Sequence, residues 1–146
     1  MIYTPMTKKA MRIAYDAHHG QVDKTGLPYI YHPIHLAESM TDEDSTIVAL
    51  LHDVIEDTAL TLDDLSREGF CEDVLTALTL LTHNPAESYM DYVSRLSTSP
   101  LALRVKLADL RHNSDITRLD NVDLKAENRL KKYEKAMQLL EAVSGR

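Results

Sequence analysis

The apolar positions of this chain recur at three- and four-residue intervals, the period of a helix. Nowhere do they alternate in the two-residue period of a strand over a useful length. Ala10, Ile13, Ala14 and Ala17 mark one face of a first helix. It opens at Thr4-Pro5, a cap followed by proline in the first turn, and runs to about His19 before Gly20. Residues 21–33 (QVDKTGLPYIYHP) hold Gly26, Pro28 and Pro33 and predict a shaped loop rather than a linker, because Leu27, Tyr29, Ile30 and Tyr31 are threaded through it. Pro33 starts a second helix over 33–40, and the acidic run TDEDS at 41–45 caps a central helix that reaches about Ile55. Thr61 with Asp64 forms a capping-box pattern for a short helix over 62–68, ended by Gly69. Val74, Leu75, Leu78, Leu80 and Leu81 predict a fifth helix over 72–82, and Asn84-Pro85 breaks the chain before a sixth over 86–97. Ser99-Pro100 opens a helix to about 117, and a last helix over about 123–143 sets Leu130, Tyr133, Met137 and Leu140 against a charged face. The expected architecture is all-α: one compact domain, 1–146, of seven or eight helices.

Composition adds limits. A chain of 146 residues with 44% hydrophobic and 27% charged residues can build a substantial core. The formal charge of −7 argues against a general nucleic-acid or anionic-membrane surface. It leaves room for a small anionic substrate held by a metal and local cations. The lone Cys71 cannot form an internal disulfide, the N-terminus lacks the apolar stretch of a signal peptide, and no run approaches the ~18 apolar residues of a membrane span. A cytoplasmic location is the expectation. Oligomeric state is left open.

Candidate chemistry is concentrated in VALLHDVIEDT, residues 48–58. On a continuous helix, at about 100° per residue, His52 and Glu56 project together with Asp53 and Asp57 beside them, over an arc of roughly 140° centred on Ala49. The rest of the circumference is apolar. Buried acids are costly unless paired or bound to a cation, and no nearby run of Lys or Arg could neutralise three of them. The stretch therefore reads as half of a metal site. The other half lies in VKLADLRHNSD, residues 105–115, where Lys106, Asp109 and Asn113 share a face of another mostly apolar helix. His32, just before Pro33, can point into the same core. His32, His52, Asp53 and Asp109 make a mixed nitrogen–oxygen set suited to a first-row divalent ion with open positions. Mn2+ is the leading candidate, with Fe2+ or Zn2+ as alternatives. Such an ion would lower the pKa of a bound water and polarise a phosphoryl oxygen. Glu56 and Asp57, one turn on, are placed to deprotonate that water or manage a leaving group.

Three blocks, AHHGQVDKTGLPYIYHPIHLA (17–37), ALLHDVIEDT (49–58) and VKLADLRHN (105–113), resemble in content, order and spacing the HD phosphohydrolase superfamily. Within it, the chain resembles the hydrolase domain of the RelA/SpoT alarmone enzymes and the small stand-alone alarmone hydrolases. The resemblance implies an HD-domain helical bundle with Mn2+ held by His32, His52, Asp53 and Asp109. It also implies catalytic roles for Glu56 and Asp57 and a substrate contact at Asn113. The implied reaction removes the 3′-pyrophosphate of guanosine tetra- or pentaphosphate, leaving GDP or GTP, in a protein with the hydrolase activity alone. Lys24, Lys106, Tyr29 and His18 complete the expected substrate-binding set. For Tyr29 the alternative is packing on the first helix, and for His18 and Lys106 a hydrogen-bonding role behind the ligands. Two departures bear on substrate identity. Asp23 stands where the family usually has an Arg packed on the base, and Arg111 is displaced by one position in the third block. Hydrolysis of another phosphorylated compound, or non-catalytic nucleotide sensing, are the competing readings.

Overall fold

The computed structural model of the chain describes residues 1–145. Its helices run α1 Pro5–Ala17, α2 Tyr31–Glu38, α3 Glu43–Leu51, α4 Val54–Asp57, α5 Leu62–Arg67, α6 Glu72–Leu81, α7 Tyr89–Leu96, α8 Pro100–Asn113 and α9 Leu124–Ser144, with a 3-10 turn at Ile116–Arg118. The only bridge between extended residues, among those described, is the isolated antiparallel pairing of Val22 with Pro28. The fold is all-α, as the periodicity predicts.

The helix starts follow local chemistry. Thr4 and Thr61 each accept from the backbone N–H three residues on, and the residue there bonds back to the cap, so both capping boxes form. Asp42, Ser88, Ser99 and Asp123 cap α3, α7, α8 and α9 in the same one-sided way. Each such cap contributes about 1 kcal/mol. The core is organised around α3, whose residues from Ser45 to Leu51 are all buried. It packs against α1, α2, α6 and α8, while α9 closes over α7 and α8.

Three of the boundaries that differ from expectation matter for the site. The helix after the loop starts at Tyr31, so His32 sits in its first turn. The helix from Pro100 ends at Asn113 rather than near 117, and the Asp115 side chain then caps the 3-10 turn by accepting from Thr117 N. The central helix is not continuous. It stops at Leu51 and resumes as the single turn α4, with Asp53 at φ −105°, ψ 0° between them. The cause is a side chain: His52 Nδ1–H donates to Ala49 O at 2.7 Å, the carbonyl that a continuous helix offers to Asp53 N–H. This break accounts for the extra helical segment.

Candidate metal centre

Three helices bring the ligand candidates together. α2 supplies His32, the end of α3 supplies His52, and α8 supplies Asp109. The three are 3%, 4% and 5% exposed. One nitrogen or oxygen from each lies within 4.8 Å of the others, and atoms of Asp53, Glu56 and Asp57 form an adjoining group on the same criterion. His32 Nε2 is 2.8 Å from Asp109 Oδ1, and His52 Nε2 is 3.0 Å from Asp53 Oδ2 and 3.6 Å from Asp109 Oδ1.

The donor set fits a cation on the following ground. His52 Nδ1–H is committed to Ala49 O, so Nε2 is the free ring nitrogen. It is sealed from solvent and has no aligned hydrogen bond, yet it faces two carboxylates. A lone pair there is repelled unless a positive charge intervenes. In the metal-free chain that charge is a proton: burial pushes the imidazole down, and Asp53 and Asp109 overcome this and hold it well above its usual range. A divalent ion would replace that proton. His32 is oriented by His112, whose Nδ1 is 2.7 Å from His32 Nδ1 and whose ring stacks on His35 at 4.0 Å. Burial, then Arg118, push His112 down to about 4.

Asp109 could not sit here unaided, since burying a lone carboxylate costs several kcal/mol. Burial pushes its carboxyl up. Lys106 and the two imidazoles reverse this and hold it well below the usual carboxylate range. Lys106 Nζ donates to Oδ2 at 2.8 Å, and Asn113 Nδ2 donates to Oδ1 at 3.0 Å. Lys106, expected either to contact substrate or to stand behind a ligand, is placed in the second position. It is Asp109's counter-ion, held near the Tyr92 and Tyr89 rings at 5.3 and 5.9 Å, and it does not line the adjoining cleft.

Tyr29 and His18 are also accounted for. The Tyr29 hydroxyl donates to Asp53 Oδ2, and its ring lies 4.8 Å from that of His18. His18 Nδ1–H donates to Gln21 Oε1 at 2.8 Å, and Gln21 Nε2 donates to Asp57 O at 2.9 Å. His18 is thus tied to the backbone of α4, while its Nε2 is buried without a partner.

The broken central helix changes the carboxylates most. Glu56 and Asp57 are exposed, unlike the ligand candidates. Glu56 Oε1 accepts from His83 N at 2.5 Å, a contact that reading one helical face could not foresee. The 80–88 segment that presents His83 is knotted by Arg95, which donates to Leu80 O, Thr82 O and both oxygens of Glu87. Burial, then the neighbouring Asp53 and Glu56, push Asp57 up to about 6.

A cleft of about 560 Å³ opens beside the cluster. His32, Asp57, Tyr29 and Asn113 lie on its wall with Lys24, Arg118, Arg129 and Tyr133. In a chain of net charge −7 this local gathering of cations stands out. Burial and the charges of Arg129, Lys132 and Lys125 lower the Lys24 pKa. Arg118 and Arg129 were not expected here. In the sequence Arg118 follows a helix end and Arg129 belongs to a charged helix face, so neither carries a local signal.

The stretch from 10 to 83, half of the chain, matches the family model described as HD domain. The chain belongs to the HD-domain family. The matched stretch holds His32, His52, Asp53, Glu56 and Asp57, and the fold adds Asp109 from beyond it. The chain is 34% identical over 151 residues to a GTP pyrophosphokinase of Streptomyces antibioticus, an alignment covering 95% of this chain and 18% of the relative. It is 32% identical over 120 residues to the bifunctional (p)ppGpp synthase/hydrolase SpoT of Escherichia coli, covering 73% and 17%. It is 34% identical over 127 residues to the guanosine-3′,5′-bis(diphosphate) 3′-pyrophosphohydrolase of Aquifex aeolicus, covering 79% and 17%. The chain thus spans under a fifth of the length of these curated relatives. Among solved structures, a metazoan ortholog of SpoT, described as hydrolysing ppGpp, superposes with a TM-score of 0.75 over 94% of this chain and 85% of that one, at 22% identity. At that identity the likeness establishes the shared fold. Among the described residues, no helix is long and apolar enough to cross a membrane.

Proposed function

We propose that this chain is a metal-dependent phosphohydrolase that removes the 3′-pyrophosphate of guanosine tetra- or pentaphosphate. The observation that carries the reading is the juxtaposition of a buried, cation-requiring His32–His52–Asp109 cluster with a cation-lined cleft large enough for a nucleotide. The curated relatives, two of them named for this substrate, support the choice of reaction. In this proposal His32, His52, Asp53 and Asp109 hold the ion, with Mn2+ ahead of Fe2+ and Zn2+ because the set has no thiolate and is half carboxylate. The ion, when bound, supplies Lewis acidity toward water and a phosphoryl oxygen.

The chain's own residues do the rest. Glu56, anchored on His83 N, accepts the proton of the attacking water. Asp57, beside Asp53 and on the cleft wall, is placed to give a proton to the ribose 3′-oxygen as its bond to the attacked phosphorus breaks. Asn113 bridges Asp109 and the cleft, and Lys24 and Arg129 balance the charge of the phosphates. Asp23, the residue that favoured a different substrate, is no free negative charge. It is neutralised by Arg118 at 3.3 Å. We place the chain in the cytoplasm, a reducing setting that suits the exposed thiol of Cys71.

The test is pyrophosphate release from guanosine tetraphosphate with Mn2+, run beside Asp109→Ala. Release by the wild type with none from the variant is the expected result. Turnover in a rigorously metal-free sample, or none in a Mn2+-loaded one, would overturn the proposal.

A further inference from the structure

Asp23 lies on the wall of a cleft otherwise rich in cations, where a bare carboxylate would repel an anionic ligand. The structure shows every face of it engaged. Oδ1 accepts from Thr25 N at 2.8 Å, Thr25 Oγ1 at 2.5 Å and Leu27 N at 3.1 Å. This folds the loop over Gly26, whose φ of +84° suits only a residue without a side chain. The loop closes on itself through Asp23 N–H to Leu27 O at 2.8 Å and the Val22–Pro28 bridge. Oδ2 is left to Arg118, 95 residues away, at 3.3 Å.

Arg118 is fixed on its other side as well. Nη1 donates to His112 O at 2.8 Å and reaches Asn113 Oδ1 at 3.4 Å. Since Asn113 Nδ2 donates to Asp109, loop 21–28 and the ligand cluster are joined through one guanidinium. Three of its five N–H groups are thereby used. Among the described residues, Nε–H and one Nη2–H have no partner, and Nε is not sealed from solvent. They belong to a side chain that lines the cleft. Its charge is already balanced by Asp23, whereas Lys24 and Arg129 on the same wall form no ion pair among the described residues.

We infer that Arg118 reads the base of the bound nucleotide, and that Asp23 is the residue that positions it. The uncompensated cations suit phosphates. A charge-balanced, planar guanidinium with two spare donors suits a neutral edge carrying two acceptors. Guanine offers that edge at N7 and O6, whereas adenine offers one acceptor and one donor there. The inference rests on reading the cleft as a nucleotide site.

The experiment compares GDP and ADP binding by calorimetry with Mn2+ present, in the wild type, Arg118→Met, Arg118→Lys, Asp23→Asn and the double variant Asp23→Asn/Arg118→Met. Arg111→Met serves as control, since Arg111 is exposed, pairs with Glu141 at 3.7 Å and lies off this cleft. The wild type is expected to favour GDP. Arg118→Met should weaken GDP binding about tenfold or more while ADP changes less than about threefold, with Mn2+ affinity retained. Arg118→Lys keeps the charge but not the fork, so it too should lose the preference, even if Arg118→Met proves unstable. Asp23→Asn should lower the preference partly, and the double variant should be no worse than Arg118→Met. Equal losses for both purines, an unchanged ratio, or additive losses in the double variant would overturn the inference. A wild type that prefers GDP yet releases no pyrophosphate from guanosine tetraphosphate would sink the proposed reaction and leave the reading of Arg118 standing. A wild type with no purine preference would sink that reading whatever its turnover.

Discussion

His32, His52 and Asp109 come from three separate helices and are almost wholly buried, whereas Glu56 and Asp57 sit side by side on a single exposed turn. The buried half is held by packing and by hydrogen bonds that leave only His52 Nε2 without an aligned partner among the described residues, and its cost is desolvated charge, offset by Lys106. The exposed half is less desolvated, though enough to raise Asp57, and its turn is anchored in the core by Val54. It borrows order through tethers: His83 N to Glu56 and Gln21 to the Asp57 carbonyl. The contrast teaches a division of labour. On the proposed reading, the groups that would hold an ion are sealed between packed helices, and those that would meet water and substrate are exposed.

This division can be broken experimentally. The largest effects should come from opposite single substitutions. Asp109→Ala should lower Mn2+ affinity by about 100-fold or more and abolish turnover, whereas Glu56→Gln should lower kcat by about 100- to 10,000-fold with Mn2+ affinity nearly unchanged. Calorimetry beside steady-state assays reads both, and a Glu56→Gln protein that no longer binds Mn2+ would merge the two halves. Next, Lys106→Met strips Asp109 of its buried partner. Mn2+ affinity should fall by about 10- to 100-fold, and the loss should exceed any change in KM once metal is saturating. A smaller effect is expected from Arg95→Ala, which unties the segment behind Glu56. It should reduce kcat roughly tenfold and leave Mn2+ binding alone. Arg95 also holds Glu87 down to about 2, chiefly by hydrogen bonding. The folded pKa is depressed, so that contribution to stability is present above the ordinary glutamate range and lost as pH falls toward about 2. Arg95→Ala should remove this acid dependence.

The smallest effect is one of pH on the metal-free protein. Burial, Asp53 and Glu56 raise Asp57 to about 6, so the fold favours its protonated form. That contribution is complete below the ordinary aspartate range and is lost as pH rises through about 6. Asp57→Asn should flatten metal-free stability between pH 4 and 7, on the order of the interval between the two pKa values, as read by thermal unfolding. If the slope persists in that variant, Asp57 is not its source.

Much of the molecule could be read from its residues. Thr4-Pro5, the Thr61–Asp64 capping box and Ser99-Pro100 are local signals, and all three start helices where expected. The spacing of Lys106, Asp109 and Asn113 on one helical face translated directly into two hydrogen bonds to Asp109. Chemistry was legible for the same reason: acids and imidazoles within apolar helices are anomalous wherever the helix lies. What failed was extrapolation of an ideal helix through His52. The helical wheel assumes that backbone carbonyls serve backbone N–H groups, and here an imidazole takes one of them. The surroundings of Asp23 were not legible for a related reason. As a loop residue it is a negative charge in the wrong place, and only the partner 95 residues on makes it part of the wall.

By itself, then, the sequence determined the helical class, the cap positions and the side chains able to bind an ion, because these depend on periods and neighbours within a turn or two. Tertiary structure alone decided that α8 delivers Asp109 to His32 and His52, that Lys106 serves Asp109 rather than the cleft, and that Arg118 and Arg95 stand behind loop 21–28 and Glu56. Those pairings cross 77 residues from His32 to Asp109 and 95 from Asp23 to Arg118. Charge complementarity over such distances is settled only by which helices pack together, and burial then makes the surviving pairs strong.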